Sequence, residues 1–398
     1  MTSTKAKTWC ILCGEYPPKL GGVGDYSSLV AEGLLKRQQS VFVFTPQSTR
    51  TSTSTIAYDA QYPTNQQASI SVDWLNDGFT LRGLRELGVK LNMIPDQRVL
   101  LIQYTPQSFG YKSLNLFFAF WIVWRSWMYR DDIRIMFHEF AFPFKIFPLK
   151  HCLLAIVHRC MGWLLLRVAN KVYVSTVAWV KLVRTYGPRS IQPIWAPVPS
   201  NVPEVARVVN PQKNSHSILL GHFGTYGSLV LSLLDPIIEQ LLLEEECIEL
   251  LLIGNGGQYR TQLLEKYPAW ETRVTTTGEL EIEKIGFEIA QCKAMIQPYG
   301  DGINSRRGSA MAALCNHVPV ITNRSFHTDE IWNDSNVCFA ISDDIEATIK
   351  GILDFISSQD RCESVAAKGY ELYQTYFAIE RTIEKLLNDT IATDSMVS

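Results

Sequence analysis

The chain has 398 residues, 46% of them hydrophobic and 19% charged, with a net charge of −2. That length is a prior for two to three domains, and the composition describes a soluble globular protein with a large core. Nine cysteines without regular spacing, an odd total and no signal-peptide start argue for a reducing compartment and against a disulfide framework.

The small net charge hides an asymmetry. Residues 1–200 hold 22 Lys and Arg against 11 Asp and Glu, whereas residues 201–398 hold 15 against 28. No carboxylate occurs between Glu139 and Glu204, while Lys145, Lys150, Arg159, Arg167, Lys171, Lys181, Arg184 and Arg189 are basic. Such a block points to an anionic partner for the first half, either a phosphorylated substrate or a membrane surface, or else to a solvated basic face. Nucleic acid is not expected as a partner. The apolar runs 114–128 and 153–168 are interrupted by Asn115, Arg125, His158 and Arg159, and the first falls short of the ~20 residues a span requires. They are expected as buried helices or as helices lying on a bilayer surface.

In chain order, residues 8–13 predict a buried strand, followed by a Gly cluster, Gly21, Gly22 and Gly24, at the mouth of a helix over 27–36, and a strand over 41–45. GGVG is not GxGxxG, and Pro17 and Pro18 separate it from its strand, so a dinucleotide fingerprint fits poorly. Cys10 and Cys13 form a CxxC inside an apolar run before any helix, which disfavours a redox role. A polar loop is expected over 48–65, then strands over 99–104 and 134–137, the latter ending at His138-Glu139. Phe142 rules out HExxH. A helix over 148–168, with His151 and His158 on one face but no further metal ligand in view, leads to a strand over 171–175 and a helix over 177–186.

Four prolines over 193–203 read as a linker. A second α/β series follows, with strands over 217–223, 249–253 and 273–277 ending in Gly224-Thr225, Gly254-Asn255 and Gly278-Glu279. Residues 296–322 then read as a strand end, a Gly-rich charged loop, a small-residue helix capped by Asn304 or Ser305, and a strand over 319–322. In open α/β sheets such loops beyond the strand ends form the ligand crevice, and helix starts there attract anions. Two series separated by a linker indicate two Rossmann-like domains facing across a cleft.

These residues resemble the retaining glycosyltransferases of the GT-B fold, family 4, along nearly the whole chain. EYPPKLGGVGDY at 15–26 is similar to that family's first loop, and VLLIQYTPQSFG at 99–110 and MFHEF at 136–140 to its next strand ends. ANKVYVSTVAWVKLV at 169–183 resembles the close of its first domain. SILLGHFGTYG at 217–227, LLLIGNGG at 250–257 and the stretch 296–322 resemble its nucleotide-sugar domain. The resemblance implies an acceptor domain over 1–203, a nucleotide-sugar domain over 204–372, and a crossover helix and tail over 373–398 returning to the first domain. It implies transfer of a sugar, with retention, from a nucleotide-diphosphate donor to a glycan, lipid-linked or small-molecule acceptor. No cofactor or metal is expected, and no DxD occurs in the sequence.

By the same resemblance His138 lies near the reacting sugar and Asp301 at its hydroxyls, beside the backbone of Gly302 and Ile303. Donor contacts are expected from Gly21, Gly22, Gly224, Thr225, Gly254, Asn255, Gly278, Arg306, Arg307 and Ser309, and acceptor contacts from Tyr104 and Glu139. Two departures stand out. The family's paired glutamates are replaced by Asp301 and Ser309, and its Arg and Lys after the first strand of the second domain are absent from Gly224-Thr225-Tyr226-Gly227. Arg306 and Arg307 are expected to carry part of the phosphate charge instead. The alternatives are a nucleotide-sugar epimerase on the same fold and a non-catalytic nucleotide-sugar-binding scaffold. A cytoplasmic location, peripheral at the inner membrane face beside a lipid-phosphate acceptor, is expected from the basic first half.

Overall fold

The computed structural model of the chain describes residues 7–19, 21–47, 68–94, 98–110, 114–144, 149–205 and 217–388, so the loop expected over 48–65 and the tail beyond 388 lie outside the described residues. The chain forms two compact units, Met1–Pro197 with Ile379–Ser398, and Val198–Ala378.

The first unit runs β1 (Thr8–Leu12), α1 (Gly22–Lys36), β2 (Ser40–Pro46), β3 (Ile70–Leu75), α2 (Leu81–Met93), β4 (Arg98–Tyr104), α3 (Leu116–Met128), β5 (Asp132–Phe137), α4 (Leu149–Leu166), β6 (Lys171–Val174), α5 (Ala178–Tyr186) and β7 (Pro193–Trp195). Its strands pair in the order β3-β2-β1-β4-β5-β6-β7, all parallel. Parallel sheets need both faces covered, which is why β1 and β4 read as continuous apolar runs and are buried along nearly all their length.

Three expectations change here. Helix α1 begins at Gly22 rather than near residue 27, because Glu15 Oε1 accepts the N–H groups of Val23 (3.2 Å) and Gly24 (3.4 Å) and so caps it from outside the helix. A Cβ at Gly21 would stand 2.2 Å from the Glu15 carboxyl carbon, so this cap requires glycine there. The stretch read as a linker from 193 opens with a strand: Pro193 is the first residue of β7 at the sheet edge, where no ladder N–H is required of it. Finally, β3 and α2 fill a stretch where no element was expected.

The second unit runs β8 (Ile218–Phe223), α6 (Ser228–Glu244), β9 (Ile248–Ile253), α7 (Gly257–Lys266), β10 (Val274–Gly278), α8 (Ile282–Ala290), β11 (Ala294–Ile296), α9 (Gly308–Cys315), β12 (Val320–Asn323), β13 (Cys338–Ile341), α10 (Ile345–Ser357) and α11 (Gln359–Leu372). The strand order β10-β9-β8-β11-β12-β13 is the doubly wound order of mononucleotide-binding folds. Val198 N–H donates to Ser305 O and Val205 N–H to Asn316 Oδ1, both at 3.0 Å, which ties residues 198–205 to this unit rather than leaving them as linker. A π-helical turn, Tyr373–Phe377, also stays here, with Phe377 packed on Trp332.

After it α12 (Ile379–Leu387) belongs to the first unit and lies along α1, where Ile383 comes against Gly33. The α12 carbonyls are held by cations and a hydroxyl: Arg134 Nη1 donates to Leu386 O and Tyr173 Oη to Lys385 O (3.4 Å). Lys385 Nζ in turn donates to Trp195 O at 2.7 Å. This is the expected crossover helix.

All nine cysteines are free. Cys10 and Cys13 are buried at the sheet centre, and burial pushes both thiols up to about 12, which is the opposite of a reactive thiolate.

Candidate active site

Each sheet reverses its strand order once, between β1 and β4 in the first unit and between β8 and β11 in the second. The crevice beyond the strand ends at such a point is where open α/β folds bind ligands.

In the first unit, β1, β4 and β5 deliver the expected residues to this end. His138 follows β5 and is buried; its Nε2 is 2.8 Å from Gln103 Oε1, and its ring meets Tyr26 edge to face. Its carbonyl accepts Trp179 Nε1–H at 3.0 Å, so both backbone and ring are fixed in position. Glu139 is more open and accepts Gln107 Nε2–H at 2.7 Å. Tyr104 does not reach a surface. Its ring is fully buried against Phe109 and Phe137, because β4 is covered on both faces, and its hydroxyl has no hydrogen-bond partner among the described residues. The residues that do line open space are Glu15, Lys19, Arg82, Gln107 and Ser108, in a pocket of about 800 Å³ whose apolar side includes Phe109 and Phe117. Gly21 and Gly22 stand at the start of α1, where the next two N–H groups are already taken by Glu15.

In the second unit the loop between β11 and α9 gathers charge. Asp301 pairs with Arg307 Nη2 through one oxygen, while its other oxygen lies 3.6 Å from Arg306 Nη2 and 3.5 Å from His327 Nδ1. Burial first, then Arg306 and Arg307, hold His327 below its ordinary pKa, while Asp329 acts the other way. Gly302 has φ 84, and a Cβ there would come within 2.3 Å of Thr328 Oγ1 and 2.6 Å of Ser325 N; only glycine makes this turn. Ile303 is buried, and its N–H donates to Asn323 O at 3.3 Å.

Helix α9 starts at Gly308 without a side-chain cap. Asn304 Oδ1 instead accepts the N–H of Arg306, and Ser305 gives its own N–H to Asp329, so neither caps this helix as expected. Ser309, at the position of the second carboxylate, makes a 2.9 Å hydrogen bond with Tyr299 Oη and donates to Gln297 Oε1 at 3.4 Å. Arg307 lies over the Tyr299 ring at 4.5 Å. Tyr299, Gln297 and His327 escaped the sequence reading. Tyr299 and Gln297 lie within the stretch it singled out, but nothing in residue spacing marks them.

At the remaining strand ends, Gly224 and Thr225 follow β8, Gly254 and Asn255 follow β9, and Gly278 closes β10, bridging to Gly254. Beneath Gly224 lies His222, fully enclosed. Its Nδ1 is 2.8 Å from Ile296 O and its Nε2 lacks a hydrogen bond of good geometry, although the Thr225 backbone is close by. Burial pushes this imidazole down to about 4. An unfolded His titrates near 6.5, so the unfolded chain binds the extra proton first. Stability is therefore complete above pH ~6.5 and falls through the window down to ~4, by as much as about 3 kcal/mol. Urea unfolding across that window should show this slope, and a His222→Asn variant should flatten it. Among the described residues no three His, Cys, Asp or Glu side chains gather as they would around a metal ion.

No protein-family model matches the sequence, and no curated protein matches it. Solved structures do. Sucrose-phosphate synthase from Thermosynechococcus elongatus superposes with a TM-score of 0.70 at 13% identity, covering 96% of this chain and 98% of its own. Anabaena HepE, solved with UDP and glucose, gives 0.64 at 13% identity over 96% and 99%. WaaG, a glycosyltransferase involved in lipopolysaccharide biosynthesis, gives 0.60 at 12% identity over 96% and 100%. The chain thus has the fold of the GT-B glycosyltransferases.

Proposed function

We propose that the chain is a glycosyltransferase that uses a nucleotide-diphosphate sugar. Its donor is held at the ends of β8, β9 and β11, and its acceptor at the ends of β1 and β4. The observation that carries this reading is the loop after β11, where the carboxylate Asp301 stands among Arg306, Arg307 and His327 at the strand-order reversal. The two guanidiniums match a diphosphate, whose negative charge grows as the glycosidic bond breaks, and the carboxylate matches sugar hydroxyls. Gly224, Thr225, Gly254, Asn255 and Gly278 supply close backbone around the nucleotide. HepE has been solved with UDP-glucose, which supports a nucleotide sugar as co-substrate.

Retention of configuration and membership of family 4 rest on the order of the motifs. Independence from metal rests on the missing DxD. His138, oriented by Gln103, hydrogen-bonds the transferred sugar or the acceptor, and Gln107 and Glu139 hold the acceptor. A glycan or a lipid-linked phosphate suits the basic first unit, as does a cytoplasmic, membrane-peripheral location. Among the described residues no helix is long and apolar enough to cross a membrane.

Calorimetry with a panel of uridine, guanosine and adenosine diphosphates and their sugar conjugates tests this. One base should bind, and its sugar conjugate should release diphosphate when an acceptor is added. Binding of none would favour a scaffold, and sugar conversion without an acceptor would favour an epimerase.

A further inference from the structure

Helix α3 buries Phe118, Ala119 and Ile122 on one side, yet keeps a second apolar face open to solvent. Its charged residue Arg125 is fully buried, while Phe117, Phe120, Trp124 and Trp127 are 46–79% exposed. Their spacing of three, four and three residues places all four on one line along the helix, a stripe of about 15 Å at 1.5 Å per residue. Helix α4 packs beside α3 and repeats the pattern: Leu153, Ile156, Cys160, Trp163 and Arg167 recur at three- and four-residue steps, all exposed. Two neighbouring helices therefore present parallel apolar lines to solvent, far more than the scattered exposed side chains of an ordinary surface.

The charge around this face has one sign. Neither helix contains a carboxylate, and the three carboxylates between residues 97 and 203 are all engaged. Asp131 is buried between Arg98 and Arg125, Asp132 pairs with Arg134, and Glu139 bonds Gln107. Two cations lie against aromatic rings: exposed Arg167 is 4.9 Å from the Trp163 centroid, and half-buried Arg159 is 3.9 Å from that of Phe144. Exposed Arg130 follows the C-terminus of α3, as Arg167 follows that of α4. Aromatic rings bordered by guanidiniums, with no free carboxylate, match the interface of a negatively charged bilayer. The pocket described above opens at the other end of the same stripe, with Leu114 and Phe117 in its wall.

We infer that the outer face of α3 and α4 is a docking surface for an anionic lipid bilayer, and that docking brings the pocket mouth to the lipid headgroups. The docking itself stands on the exposed side chains alone; only the pocket's role as acceptor site rests on the proposed glycosyl transfer.

The test uses the full chain with vesicles of phosphatidylcholine, with or without phosphatidylglycerol. Wild type should co-sediment at least about tenfold better with the anionic vesicles at low salt, and lose much of that advantage at high salt. Brominated lipid should quench its tryptophan fluorescence. A Phe120→Ser/Trp124→Ser/Trp127→Ser variant, altered outside the pocket, should lose vesicle binding while keeping wild-type nucleotide binding in calorimetry. Failure of wild type to bind anionic vesicles, or unchanged binding by the variant, overturns the inference. So does a wild-type dimer in sedimentation velocity that ignores vesicles and is dissolved by the same substitutions. Each of these leaves the nucleotide-binding result standing, so the two proposals fail separately.

Discussion

An Asp131→Ala variant is expected to lose about 3–5 kcal/mol of stability, the largest effect foreseen for a single side chain here. Asp131 is enclosed at the junction of α2, α3 and β5. One carboxylate oxygen takes Arg98 Nε–H and the other takes Arg125 Nε–H at 2.6 Å. Arg98 also donates to Leu91 O (3.1 Å) and Ile94 O (2.7 Å), tying down the end of α2, and Arg125 stacks on Tyr129 at 4.4 Å. Removing the carboxylate strands two buried guanidiniums with no countercharge, and that outweighs the loss of the hydrogen bonds themselves. Asp131→Asn keeps one acceptor and the volume, and should cost less than alanine. Urea titrations of both variants at one pH give the comparison. A loss under about 1 kcal/mol for alanine would mean that water reaches the arginines.

Asp301→Asn is expected to move two measurements in opposite directions. Asp301 neutralises part of the charge of Arg306 and Arg307, so its loss should leave both guanidiniums freer for phosphate and tighten nucleoside diphosphate binding several-fold. The same change removes the carboxylate proposed for the sugar hydroxyls, so turnover of the nucleotide sugar should fall about 10- to 100-fold in kcat/KM. The Arg306→Ala/Arg307→Ala variant should instead weaken nucleoside diphosphate binding on the order of 100-fold, at about 1.5–3 kcal/mol per charged hydrogen bond. Calorimetry with the free diphosphate, beside turnover of the sugar conjugate, separates the two. Unchanged diphosphate affinity in the double variant would rule the arginines out as phosphate ligands.

Much of the architecture was legible because parallel strands carry their burial in plain sight. The runs at 8–13, 99–104, 217–223 and 249–253 each became an interior strand within a residue or two, and the residues that end β1, β4 and β8 became loops at the two strand-order reversals. What stayed hidden depends on partners far apart in sequence or on faces that composition does not distinguish. The cap of α1 comes from Glu15, seven residues before the helix, so no local capping pattern announced it.

The stretch from 296 to 322 shows the same division. Its strand, glycine turn, small-residue helix and second strand follow from sequence, since each is a local backbone requirement. That Asp301 compensates Arg306 and Arg307, and that Ser309 is bonded to Tyr299, follows only from the fold, because charges and hydroxyls choose partners by distance in space.

The α3 helix is the clearest case. The sequence alone determined that residues 114–128 form an apolar helix too short to cross a bilayer. With bulky apolar residues at almost every position and an arginine within them, its sequence pattern does not say which face is buried. The tertiary structure decided that, by placing Asp131 and Arg98 where Arg125 could meet them, so that the helix turned its arginine inward with Phe118 and left Phe117, Phe120, Trp124 and Trp127 toward solvent.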